Sequence, residues 1–385
     1  MKLKIGLLAR ILIAIVLAVV VGSFAPEWFV RIFATFNGLF GGFLNFVVPL
    51  IIIGFIAPGI AQLGKGSGKL LGLATFFAYS STIIAGILAY FAASNVLPMF
   101  ISQQSSADIS DPTSFLATAF FEVEMVPIMD VMAALLFAFI VGVGMTVIKG
   151  DVLKRGFEEL NTIVEKLIST IIIPLLPFHI FGIFLNMTFA GQVAKILSVF
   201  AVVFILIIAL HWTMLIIQYT TAGLLNGKNP IKLLKVMLPA YFTALGTQSS
   251  AATIPVTLRQ AQQTGATKKV TDFTIPLFAT VHLSGSTITL VTCSIGVMLM
   301  NGVDFNFNSM LGFILMLGVT MIAAPGVPGG AVMAALGLLG TMLGFDETMI
   351  ALMIALYMAQ DSFGTATNVT GDGALAMIVD KFHKE

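Results

Sequence analysis

Long apolar runs almost free of charge divide this chain, and they constrain what it can fold into. Residues 36–62 and 70–96 hold no charged side chain at all. About 20 such residues cross the hydrocarbon core of a bilayer. With no water there, each crossing segment must satisfy its own backbone, which makes it a helix. Charged residues form 10% of the chain and hydrophobic ones 58%, against about 25% charged in soluble domains. The expectation is an all-α polytopic membrane protein with no soluble domain. One cysteine, Cys293, excludes an intramolecular disulfide, and a net charge of +1 gives no case for nucleic acid. The N-terminal MKLK followed by an apolar run to Phe24 mimics a signal peptide, but the run is about 20 residues, so it reads as an uncleaved first span.

Eight spans follow from the apolar pattern: about 5–24, 36–62, 70–96, 127–148, an amphipathic start after Arg155 leading to about 187, 193–225, 270–301 and 348–379. Two segments break it. Residues 230–265 form two short arms around Gly246-Thr247-Gln248-Ser249-Ser250-Ala251, and residues 309–344 form two more around Ala324-Pro325-Gly326-Val327-Pro328-Gly329-Gly330. None of these arms is long enough to cross, so each pair reads as a re-entrant helical hairpin. Span seven is itself interrupted at His282-Leu283-Ser284-Gly285-Ser286. Gly/Pro-interrupted segments in corresponding positions of two inverted repeats point to a transporter site. Non-helical backbone at that depth is tolerated only where protein or a water cavity covers it.

Charge supports this path. With a cytoplasmic N terminus and hairpins entering from opposite sides, all of the 19 basic residues except Arg31 and Lys195 fall on the cytoplasmic side, while Glu27, Glu122, Glu124, Asp304, Asp346 and Glu347 fall outside. Both termini are expected to be cytoplasmic, in a bacterial inner membrane.

The last span carries Asp361, Thr365, Asn368 and Asp372, at offsets 0, 4, 7 and 11. On a helix these form one narrow stripe. A carboxylate at bilayer depth costs at least about 2.5–3.5 kcal/mol, so two on one face call for a cation, a ligand or water. Hydrogen bonding across a helix bundle would explain one Thr or Asn, but not this whole stripe.

At these residues the chain resembles the dicarboxylate/amino acid:cation symporter family, which includes the glutamate transporters. The likeness is carried by Ser249-Ser250 with Thr253-Ile254-Pro255-Val256-Thr257, by Gly326-Val327-Pro328-Gly329, and by Asn368-Val369-Thr370-Gly371-Asp372. It covers nearly the whole chain and is strongest from Pro239 to Asp380. The resemblance implies a homotrimer working as an elevator. Residues 1–69 and 101–190 would form the scaffold; residues 70–100 and 191–385 would form the transport domain. It implies that Asp361 binds a substrate ammonium group, that Thr365 and Asn368 hold the substrate, and that Ser249, Ser250, Ser286, Val327 and position 364 complete the pocket. For the coupling sodium it implies Asp372 with Asn368 and the span-seven positions Phe278 and His282, and a second set of carbonyls at Met321, Ile322 and Ala324. All-oxygen ligation suits a hard cation.

Three departures shape the functional expectation. Gly364 stands where members taking acidic substrates place an arginine, so a second substrate carboxylate would lie unpaired. The family's span-seven asparagine and aspartate become His282 and Ser284, which removes a carboxylate from a further sodium site, although Ser80 and Ser81 remain plausible partners there. Gln248 replaces a tip arginine found in some members. The leading expectation is a sodium-coupled importer of a small neutral amino acid (serine, threonine or alanine), with fewer sodium ions than its relatives, namely two. Competing readings keep the fold but use a proton through His282, or take a dicarboxylate or acidic amino acid. His282 equally reads as a packed neutral imidazole, and His179 and His211 as structural. An ion channel or anion conductor is the reading from another class. Enzymatic hydrolysis by Ser249-Ser250 is disfavoured, because no His-x-Asp pattern or metal-ligand spacing accompanies them.

Overall fold

The computed structural model describes residues 7–63, 68–101, 116–191, 193–322, 324 and 329–384. Among these the secondary structure is helical throughout, with no strand: α1 (Leu7–Gly22), α2 (Glu27–Leu63), α3 (Gly68–Val96), α4 (Val131–Val147), α5 (Val152–Leu167), α6 (Ile173–Phe189), α7 (Val193–Asn226), α8 (Pro230–Thr247), α9 (Ser250–Gln263), α10 (Lys268–Val281), α11 (Ser284–Met300), α12 (Phe307–Met321), α13 (Gly330–Leu343) and α14 (Glu347–Lys384). Six stretches are long and apolar enough to cross a membrane: 27–61, 69–99, 152–189, 197–226, 268–300 and 347–383. This is a multi-pass membrane protein.

The ends of these helices follow from the sequence. Asn229 caps α8 by accepting from Lys232 N at 3.1 Å, with Pro230 at the first helical position. Asn306 and Ser309 form a reciprocal capping box on α12. Gly344 ends α13 with φ +69°, a left-handed cap that a side chain would disfavour.

Two expected boundaries move, and the fifth span keeps its amphipathic start. The second span begins at Glu27, directly after Pro26, rather than at 36. The fourth begins at Val131 instead of 127, because Asp130 caps it through Ala133 N at 2.9 Å. The amphipathic segment and the fifth span form one continuous helix, 152–189. Its five-residue π-turn, Ile168–Ile172, lies just before Pro174, whose missing N–H and ring relax the backbone there.

Packing gathers the helices into two groups: α1, α2, α4, α5 and α6 pack on one another, and α3 packs with α7 to α14. Contacts of α13 with α2 and α4, and of α14 with α1 and α6, join them. Outward apolar residues such as Val16, Phe76, Ile140, Val143, Ile205 and Ile216 are exposed, as lipid-facing positions require. Helix α11 is the opposite case, with every residue from Ser284 to Leu299 buried.

Within hydrocarbon, helices associate by close packing more than by hydrophobic drive, and small residues allow it. At Gly285 a Cβ would stand 2.5 Å from Gly364 O and 2.7 Å from Thr367 Cβ. The start of α11 therefore presses backbone to backbone on α14. Gly285→Ala is expected to destabilise the protein by about 1–3 kcal/mol, seen as a lower unfolding midpoint in detergent. Gly72→Ala, where a Cβ meets nothing within 4 Å, is the control and should leave the midpoint unchanged or raise it.

Candidate functional site

Helix α14 carries the stripe without a break. Asp361, Thr365, Asn368 and Asp372 are all buried, at 4%, 6%, 2% and 1% exposure. Asp361, Asn368 and Asp372 each meet a place where another helix stops.

The first is the interruption between α10 and α11. His282 ends α10, its N–H donating to Phe278 O at 2.9 Å. The N–H groups of Gly285 and Ser286 donate to Asn368 Oδ1 at 2.7 and 3.3 Å, and Asn368 Nδ2 donates to Ser286 Oγ at 3.0 Å. Asn368 thus caps α11 from across the interface. His211 braces the same turn, its Nε2 lying 3.0 Å from Gly285 O.

The second is the α12–α13 tip. Gly329, at φ +76°, donates its N–H to Asp361 Oδ2 at 2.8 Å. Of the carbonyl positions expected here, Met321 O accepts from Ala324 N at 3.3 Å, and Ile322 N donates to Val319 O at 3.2 Å. Val327 lies outside the described residues.

The third is the α8–α9 tip. Gln248 adopts φ 54°, the one positive φ outside glycine among the described residues. Ser249 Oγ accepts from Ala252 N at 3.3 Å, capping α9, and Ser250 opens that helix. A helix N-terminus offers unpaired N–H groups to an anion.

These ends enclose a cavity of about 20 Å³ lined by Gln248, Ser250, Ala279, Leu283, Ser286, Ala324, Ala331, Tyr357, Asp361, Thr365 and Asn368. That is room for a water, not for an amino acid. Gly364 packs beside it: a Cβ there would touch Ser286 N at 3.5 Å and Gly285 C at 3.6 Å. A far larger cleft of about 780 Å³, lined in part by Asn37, Glu122, His179, Asn186 and Glu347, lies elsewhere, between α2, α6 and the start of α14. His179 there has Nδ1 3.1 Å from the Asn37 amide.

Asp372 belongs to a separate buried cluster. Its Oδ1 is 2.8 Å from His282 Nδ1, and the two side chains are 1% and 0% exposed. His282 Nε2 is 3.0 Å from Ser81 Oγ. Gln218 Nε2 donates to Ser81 Oγ at 2.9 Å and to Ser284 Oγ at 3.3 Å. With the carboxylate accepting from Nδ1–H, Nε2 is left to accept from Ser81. Three oxygens expected to face a cation therefore already have protein donors: Asp372 Oδ1, Asn368 Oδ1 and Phe278 O.

Sequence reasoning missed two polar groups here. Tyr357 lies four residues before Asp361 and extends the stripe by one turn. Gln218 is a buried amide on α7. Its position within residues 197–226, which hold no charged side chain, was the available signal.

The sequence matches the profile of the Sodium:dicarboxylate symporter family over residues 7–382. It is 30% identical over 236 residues to excitatory amino acid transporter 1 of Rattus norvegicus and of Mus musculus, and 29% to that of Homo sapiens. The matched stretch covers 60% of this chain and 43% of each relative, so it spans less than half of their length.

The His282–Asp372 contact can be measured directly. A double-mutant cycle with His282→Asn and Asp372→Asn, followed by thermal unfolding in detergent, should return a coupling of about 0.5–3 kcal/mol. Simply additive effects would show that the pair contributes nothing.

Proposed function

This chain belongs to the sodium:dicarboxylate symporter family, and on that premise we propose that it imports a small neutral amino acid, of the serine, threonine or alanine kind, together with sodium. One observation carries the substrate: Asp361 is the single charged side chain among the described residues lining the cavity. A zwitterion suits that arrangement. Its ammonium group pairs with Asp361, and its α-carboxylate meets the N-terminus of α9 at Ser250. A second carboxylate, as in a dicarboxylate or acidic amino acid, would have no cation beside it and would carry a large desolvation cost. Thr365, Asn368, Ser286 and the backbone near Val327 complete the pocket, with Ser249 capping the tip and Gly364 leaving it free of a guanidinium.

The transport step follows from closure. The cavity is too small for the cargo, and Asp361 is bonded to Gly329 N. Loading breaks that bond and lifts the α12–α13 tip, which acts as a gate; the substrate ammonium then replaces the N–H as partner of Asp361. The bundle of α3 and α7 to α14, residues 70–100 and 191–385, moves as an elevator against the scaffold of residues 1–69 and 101–190. The two packing groups support this division. Eight spans and two re-entrant hairpins, a homotrimer, and cytoplasmic termini in a bacterial inner membrane complete the reading.

For coupling, sodium is held by carbonyls at Met321, Ile322 and Ala324 and by the second carboxylate oxygen of Asp372. Ser284 offers no charge for a further ion, so two sodium ions accompany each substrate. A second reading replaces sodium at Asp372 with a proton, and the 2.8 Å His282–Asp372 contact favours it: an imidazole already stands where the cation would.

Asp361→Asn keeps an acceptor for Gly329 N but removes the counter-charge. Substrate affinity should fall by about two to four orders of magnitude, the equivalent of 3–5 kcal/mol, in protein that remains folded; wild-type affinity would refute the assignment. Reversal potentials in proteoliposomes decide the ion. Two sodium ions per substrate are expected. Uptake indifferent to sodium, driven by a pH gradient and lost in His282→Asn, would establish proton coupling instead.

A further inference from the structure

Eight buried side-chain polar atoms among the described residues have no hydrogen-bond partner. Only one of them belongs to a residue lining the candidate cavity: the hydroxyl of Tyr357. Tyr357 is fully buried on α14, one turn before Asp361 and on the same face. Its hydroxyl stands beside the Asp361 carboxylate and Ser286 without making a hydrogen bond of normal geometry to either. Buried polar groups nearly always find a partner, and an exception calls for an explanation. A ligand supplies one here. With the ammonium at Asp361 and the α-carboxylate at the start of α9, the substrate's side chain is the part left to face this phenol.

We propose that Tyr357 is a specificity-determining, substrate-contacting residue that hydrogen-bonds a hydroxyl on the substrate's side chain, selecting serine and threonine over alanine. The inference rests on the neutral amino acid reading above and narrows it. A phenol both donates and accepts, as an aliphatic hydroxyl does, so the two can pair in either sense. A methyl side chain would leave the phenol unpaired in a dry site. Sites built to bond a hydroxyl reject analogues lacking it by this means. The ring is held by packing, so the hydroxyl is presented in a fixed direction at little conformational cost.

The test is Tyr357→Phe in the full chain, reconstituted in proteoliposomes. Serine, threonine and alanine are compared as competitors of labelled alanine counterflow. In wild type, serine and threonine should compete better than alanine. In the variant their affinity should drop about 3- to 10-fold, the usual yield of one hydrogen bond, while that of alanine holds or rises, since no phenol is left unpaired. Alanine transport also reports that the variant folds. An equal loss for all three would mean that Tyr357 acts through Asp361 and would overturn the proposal, as would no change for any. Failure of the underlying reading is distinguishable, because the wild-type protein would then carry none of the three.

Discussion

A carboxylate in the middle of a membrane is costly unless a cation or hydrogen-bond donors meet it; an unpaired backbone N–H there carries the same kind of cost. Helix α14 brings Asp361, Asn368 and Asp372 into the interior, and three other helices stop beside them. The deficits cancel. Asp361 takes the N–H of Gly329, Asn368 takes those of Gly285 and Ser286, and Asp372 takes the imidazole of His282 at the end of α10. Irregular backbone at this depth and buried acids on α14 are each unfavourable alone and stable together. This makes the polar stripe part of the fold as well as a site. It also accounts for the small residues along α14: a Cβ at Gly371 would stand 2.6 Å from Gln218 Oε1 and 3.0 Å from His282 Cε1, so the cluster closes only against a bare backbone.

Much of this was legible in one sequence because the signals were periodic. Uncharged runs marked the long apolar helices, short Gly/Pro-centred arms marked the pairs of short helices, and offsets of four, three and four aligned the stripe. What was not legible depended on contacts between distant segments. The sequence shows His282 at a break and Asp372 on a helix, yet nothing local says that they lie 2.8 Å apart. Without that contact, Asp372 read as an open cation ligand. Tyr357 fits the apolar pattern of α14 as a ring, so the spacing did not separate its hydroxyl from core. Gly364 was readable as a missing arginine, but not as a residue packed on the start of α11. The early start of α2 was missed because Trp28 and Arg31 weaken the apolar signal there. Arg31 in fact lies over Phe120, 4.4 Å from the ring centroid, and donates to Thr118 O at 3.1 Å.

The two acids differ in what must move to free them. Asp361, with the Tyr357 hydroxyl beside it, accepts from a backbone N–H on a hairpin tip next to a small cavity. Displacing it disturbs one hydrogen bond and one glycine with positive φ, a conformation that costs glycine little. The partner of Asp372 is a side chain fixed in turn by Ser81, with Gln218 bonded to Ser81 and Ser284. Displacing that imidazole disturbs elements from α3, α7 and α11 at once. A ligand at Asp361 would therefore compete with a backbone N–H of one tip, and a cation at Asp372 with side chains drawn from three helices. The helix that carries both also carries Asn368 between them, whose amide oxygen holds the start of α11. Any shift of α11 reaches Ser286 and so the candidate cavity through that amide. If the two acids bind the ligands proposed for them, coupling between them has this physical route, and by linkage the effect of each ligand on the other is equal.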